Sequence, residues 1–260
     1  MKRLFTVWYH STMASAQSAF ASRLGVILFT IGKLLRFLFF VIFILPIFGR
    51  TKHMGGYTFW EIIFFYATFN VIDIFPQMLL RSVYRFRSLV VSGDFDLFFL
   101  KPISPLFMAL FGGSDILDIP MLFLSIGFIF YSGLYIPVFS LSTVFLYTFL
   151  LLNAFLIATS FHIFVLSIGI ATTEVDNTIM LYRDLTQMGR LPVDIYKQGV
   201  NFLLTFVIPV GVMITFPVKA LLGTLSIQFI LYSFLFGALF FLASLWAWRT
   251  SLRSYTSASS

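Results

Sequence analysis

Few side chains in this sequence can do chemistry, and their spacing limits what that chemistry is. Asp115 and Asp118, in GGSDILDIP, stand at i and i+3, a carboxylate pair of the kind used in acid–base catalysis or metal binding. No third ligand lies near them, so they read as a solvated or arginine-paired face. His10, His53 and His162 are far apart and lack helical metal-ligand spacing, and cysteine is absent, so neither a disulfide nor a thiolate metal site can form. Gly25, Gly32 and Lys33 in GVILFTIGKL are wrongly spaced for a phosphate-binding loop, and G-x-x-x-x-G-K-[ST] occurs nowhere. If ATP is used, another polypeptide must hydrolyse it.

Other charges fall within apolar runs, where an ionised group needs a partner or a wet cavity. Lys33 and Arg36, also at i and i+3, have two readings. Either they line a translocation path and bind an anionic substrate, or their span starts later and both snorkel to headgroups. Glu61 belongs at the outer interface. Asp73, about 18 Å further along the same helix, is expected to pair with Lys33 or Arg36 rather than to relay protons.

Two polar stretches interrupt the apolar pattern. In the first, VVSGDFDLFFLKPISP, Gly93 ends one element and Asp94 suits an N-cap or first-turn acid. A short helix should follow, with Phe95, Phe98 and Phe99 toward the membrane, Lys101 in its last turn and Pro102 and Pro105 stopping it. Upstream, Arg81, Arg85 and Arg87 place a basic surface beside it. The second stretch, 172–199, mixes Glu174, Asp176, Arg183, Asp184, Arg190 and Lys197, and reads as a solvated amphipathic helix stopped by Pro192. A contact to a partner protein is the alternative there.

The elements that must position these groups follow from composition. Sixty per cent of the 260 residues are hydrophobic and 10% charged, against about 25% charged in soluble domains. Apolar runs of about 20 residues read as membrane helices. The expected fold is all-α and polytopic: an amphipathic surface helix over the first 22 residues, anchored by Phe5, Trp8 and Tyr9, then six spans near 24–48, 58–80, 107–136, 142–171, 200–217 and 226–248. They form one domain, 1–248, with a cytoplasmic tail at 249–260. The N-terminus lacks the compact apolar core of a secretory signal. Pro209 and Pro217 should kink the fifth segment or make it re-entrant. With both termini inside, 12 Lys and Arg face the cytoplasm and three (Arg50, Lys52, Lys219) face out, with Lys33 and Arg36 in the first span. The net charge of +7 therefore reflects basic cytoplasmic loops, not nucleic acid.

GGYTFWEIIFFY, GDFDLFFLKPISPL and MGRLPVDIYKQGVNFLLTFVIPVGVMITFPVKALLG, in that order and separation, resemble the six-span permease subunit of type-2 ABC exporters. Gly93, Asp96, Phe99, Lys101 and Pro102 fall on that family's Gly-x-x-Asp-x-x-Leu-x-[Lys/Arg]-Pro motif, with Phe99 where the family has Leu. Arg190, Pro192, Pro209, Pro217 and Gly223 fall on a later one. The resemblance implies that the segment around 93–105 is a coupling helix docked on a separate ABC ATPase, which binds ATP and Mg while this chain binds no cofactor and catalyses nothing. It also implies a second permease subunit, identical or paralogous, in a bacterial plasma membrane. The rival reading is an ATP-independent carrier or an intramembrane enzyme. Either would want several ionisable groups near mid-bilayer or inverted repeats, and neither a repeat nor a catalytic cluster is visible.

Overall fold

The computed structural model describes residues 2–137, 140–172 and 175–255, and every regular element among them is helical. Five helices are long and apolar enough to cross a membrane, making this a multi-pass membrane protein. Helix α1 (Lys2–Phe20) lies against one end of the bundle, where Trp8 Nε1 donates to Ser114 Oγ (2.9 Å) and Arg85 reaches Ser15. Lysines and arginines collect there, and it is called the basic end. Helix α2 (Arg23–Arg50) runs from the basic end to the far end. α3 (Phe59–Leu79) returns, started by a capping box in which Thr58 N–H donates to Glu61 Oε2 (2.7 Å) and Glu61 N–H to Thr58 Oγ1.

The expected third span, 107–136, is broken. Ser82 Oγ lies 2.7 Å from both the Ala109 and the Leu110 carbonyls and accepts from Gly112 N–H, so the open end of a short helix is satisfied locally. The chain therefore makes α4 (Phe86–Ser92), a single turn α5 (Asp96–Phe99) and α6 (Pro105–Phe111) at the basic end. Only then does α7 (Ile119–Gly133) cross, after a 3₁₀ turn capped by Asp115, which accepts from Leu117 N–H (3.0 Å). α8 (Leu141–Thr172) comes back antiparallel to α7 and parallel to α3, as Thr68 with Tyr147 (3.1 Å) and the Phe75–Phe155 contact (4.6 Å) show.

The largest departure from the sequence reading lies in residues 175–221. Helix α9 (Val175–Gln187) does not stay at the basic end. Val175 packs on Gly169, Tyr182 on Phe161 and His162, Gly189 on Ile214, and Asp194 bonds Tyr57 at the far end (2.8 Å). Its 13 residues rise about 20 Å, and the 3₁₀ turns and extended backbone to Ile195 add at least about 2 Å each. That suffices for a core of about 30 Å. This stretch makes the fifth passage, so the expected placement of all of 172–199 at the surface is corrected; Glu174 lies outside the described residues.

The apolar run expected as the fifth span is instead a re-entrant element. Helices α10 (Gln198–Phe202) and α11 (Phe216–Leu221) belong to two limbs, Gln198–Val207 and Gly211–Leu221, bent by 83° at a break containing Pro209. Asn201 on one limb and Lys219 on the other both reach Asp194 at the far end (3.5 and 3.0 Å). The second limb is almost wholly buried, which is what lets its π-helical backbone at Gly211–Thr215 lie at membrane depth. Pro217 sits in the first turn of α11, directly after the π-helical turn Gly211–Thr215. Helix α12 (Ile227–Arg253) returns to the basic end and stays helical through Arg253, five residues past the span end read at Trp248.

The centre of the bundle is α3, covered by α7, α8 and the re-entrant limb. α8 and α12 approach closely because Gly237 faces Asn153, whose amide donates to the Ser233 carbonyl (2.8 Å). By contrast α2 and α12 bury little within the chain, leaving them for lipid or another subunit.

Candidate coupling site and membrane-embedded charges

At the basic end the motif 93–105 is built around one ring. Gly93 adopts φ 80°, a left-handed turn that a side chain would strain, and Phe95 N–H bonds back to the Leu89 carbonyl (3.0 Å). Phe95 is thereby fully buried against Phe86 (5.0 Å), Trp248 (6.3 Å) and Tyr255 (5.2 Å). Burying such a ring is worth about 1.5–3 kcal/mol. The ring joins the motif to α4 and α12, and through Leu166, Ile170 and Ile179 to α8 and α9. Tyr255 Oη donates to Asp96 Oδ1 (2.9 Å); burial, then Asp96, pushes the phenol up to about 12.

The outer side of the same segment is left open. Leu97, Phe99 and Leu100 are exposed, Leu100 by 81%, and Asp94, Lys101 and Pro102 stand beside them in solvent. Asp94 does not cap the helix; its carboxylate accepts from Ser92 Oγ (2.7 Å). The helix is a single turn ending at Phe99, so Pro102 follows it at a distance and Pro105 opens α6 instead of stopping α5. Lys101 lies over the Phe98 ring (5.5 Å).

The membrane-embedded charges are distributed differently from the sequence expectation. Lys33 pairs with Asp118, which is buried, and not with Asp73. Asp73 accepts from Gln77 Nε2 (2.6 Å) and makes no ion pair among the described residues. Asp115 is paired with Arg81 (3.5 Å). Arg36 makes no ion pair among the described residues and lines a cavity with Arg190. Where α3, α8 and α9 meet, Tyr84 Oη, His162 Nε2 and Arg183 Nε are buried without a hydrogen-bond partner among the described residues. Sequence spacing carries no signal for the Lys33–Asp118 pair, whose members are 85 residues apart.

At the far end Asp194 is the hub of a clamp. Burial opposes its charge, but bonds from Lys219 and Tyr57 hold the carboxyl below the usual range. Burial and Asp194 together push the Tyr57 phenol up. Nothing in the sequence marked Asp194, because its partners lie 25 and 137 residues away.

Residues 33–259 match the family described as ABC-2 family transporter protein. No curated protein and no solved structure matches the chain.

Proposed function

The chain belongs to the ABC-2 transporter family and is a membrane-spanning permease subunit of an ABC transporter; from that premise we propose that it couples a separate ATPase to export across a bacterial plasma membrane. The observation that carries this reading is the two-sided character of 93–105. One side, Phe95 and Tyr255, is locked to α12 and to the helices behind it; the other presents exposed Leu97, Phe99 and Leu100 with Asp94 and Lys101. Such a segment suits a lever: the ATPase holds the open side, ATP and Mg bound to the ATPase change its spacing, and the locked side passes the movement to α8, α9 and α12.

The corrected topology supports the same orientation. Nine Lys and Arg stand at the basic end (Lys2, Arg3, Arg23, Arg81, Arg85, Arg87, Lys101, Arg249, Arg253) against four at the far end (Arg50, Lys52, Lys197, Lys219), with Lys33, Arg36, Arg183 and Arg190 between. By the positive-inside rule the basic end, with both termini, is cytoplasmic. The fifth passage carries exposed Asn177 and Asp184 on one face, and a charge at such depth needs a wet path or a partner subunit. A second permease, identical or paralogous, facing the exposed side of α9 provides both.

The test is charge reversal. Asp94→Arg with Asp96→Arg should leave the chain membrane-inserted while abolishing its co-purification with the ATPase and substrate-coupled ATP hydrolysis. Unchanged hydrolysis and retention of the ATPase would remove the coupling role.

A further inference from the structure

Arg36 is the midpoint of α2: residues 23 and 50 bound the helix, so it lies about 20 Å from either end. It is partly buried, in no ion pair among the described residues, and faces a cavity of about 530 Å³ between α2 and the end of the fifth passage. Arg190 enters the same cavity from the other wall, its guanidinium steadied by Gln187. The rest of the lining includes Phe39, Phe40, Phe43 and Tyr66, and Phe40 stacks on Tyr66 at 3.7 Å. At Gly32, one turn before Arg36, a side chain would meet nothing within 4 Å.

Arg36 and Arg190 stand in an aromatic groove at membrane depth with no carboxylate among its lining residues, an arrangement that favours an anion reached by both. Arginine forks suit phosphate and carboxylate oxygens, while the aromatic wall suits an acyl chain. We propose that this groove binds an anionic amphiphile, its phosphate or carboxylate head bridging Arg36 and Arg190 and its apolar tail along Phe39 and Phe43. This rests on the permease reading above and names its substrate class.

The test uses the purified full chain in uncharged maltoside detergent, without the ATPase. Dodecyl phosphate, dodecyltrimethylammonium and inorganic phosphate serve as probes, and retained ligand is measured by mass spectrometry. Wild type should retain dodecyl phosphate and not the cation. Arg36→Gln and Arg190→Gln should each weaken retention by about ten- to hundredfold, as loss of a charge-assisted hydrogen bond implies. The doubly substituted chain should retain none. Arg36→Lys with Arg190→Lys keeps the charge and should retain ligand, separating loss of binding from loss of fold. Gly32→Leu fills the groove without touching charge and should also reduce retention.

Equal retention by wild type and the double glutamine variant, or preference for the cation, overturns the proposal. Displacement by inorganic phosphate as effectively as by dodecyl phosphate would leave the tail without a role and overturn it too. So would spontaneous disulfide formation between two copies carrying Phe39→Cys, which would give the groove to a second subunit; the chain has no other cysteine. Because the ATPase is absent, failure here leaves the coupling test at Asp94 and Asp96 untouched, and failure there leaves this binding result standing.

Discussion

Replacing Lys33 with methionine isolates the energetics of its ion pair with buried Asp118, which ties α2 to the bundle. Asp118 has 3% of its side-chain surface exposed and Lys33 21%, so the two single variants are not equivalent. Without Lys33 the buried carboxylate loses its cation, and breaking a buried pair in this way costs about 3–5 kcal/mol. In a chain of this size 1 kcal/mol moves Tm by about 2–4 °C, so Lys33→Met should lower it by at least about 6 °C. Asp118→Asn leaves the better-exposed partner, whose flexible stem can carry the ammonium toward headgroups; a loss of about 1 kcal/mol, or about 2–4 °C, is expected. The double variant should return to the level of Asp118→Asn. Thermal unfolding of the detergent-purified protein by intrinsic fluorescence reads all three. The reasoning fails if Lys33→Met is no worse than Asp118→Asn, or if the double variant is as unstable as Lys33→Met.

The corrected topology predicts that a thiol at Lys197→Cys labels from outside sealed cells, whereas Ser88→Cys labels only after permeabilisation; both labelling from one side would refute it. Tyr255→Phe removes the bond to Asp96 but keeps the rings and should weaken ATPase retention only slightly, whereas Tyr255→Ala removes the ring packing on Phe95 and should weaken it strongly, as measured by co-purification. Asp194 is held below an unfolded value of about 3.9, so its stabilising effect is present above about pH 4 and fades as pH falls through its lowered value. Unfolding of wild type and Asp194→Asn should therefore differ at pH 7, begin to approach each other below about pH 4, and converge only once pH has fallen through the lowered value of Asp194.

Hydropathy made the long apolar helices legible, and the order of motifs pointed to the family, because lipid imposes composition directly on α2, α8 and α12. The fifth passage was hidden for a physical reason. Val175, Ile179, Tyr182 and Thr186 give α9 one protein-facing side, and its other side carries Asn177 and Asp184, so its mean composition resembles a surface helix. The run 200–217 misled in the opposite sense: it is apolar because the second limb is enclosed by protein, a state that composition cannot separate from exposure to lipid. The motif at 93–105 was legible as a unit. Its ring-to-ring lock on Trp248 and Tyr255 was not, since contacts 150 residues apart have no periodicity.

The polarity of the fifth passage also constrains how the protein is made. On insertion scales Asp and Arg near a helix centre cost roughly 2.5–3.5 kcal/mol each, and this segment carries Arg183 and Asp184 with Arg190 close behind. No insertion channel would release such a helix into lipid by itself. It must be accepted together with α8, on which Val175 and Tyr182 pack. The fifth passage then enters the membrane as a unit with the helix before it, not as an independent span.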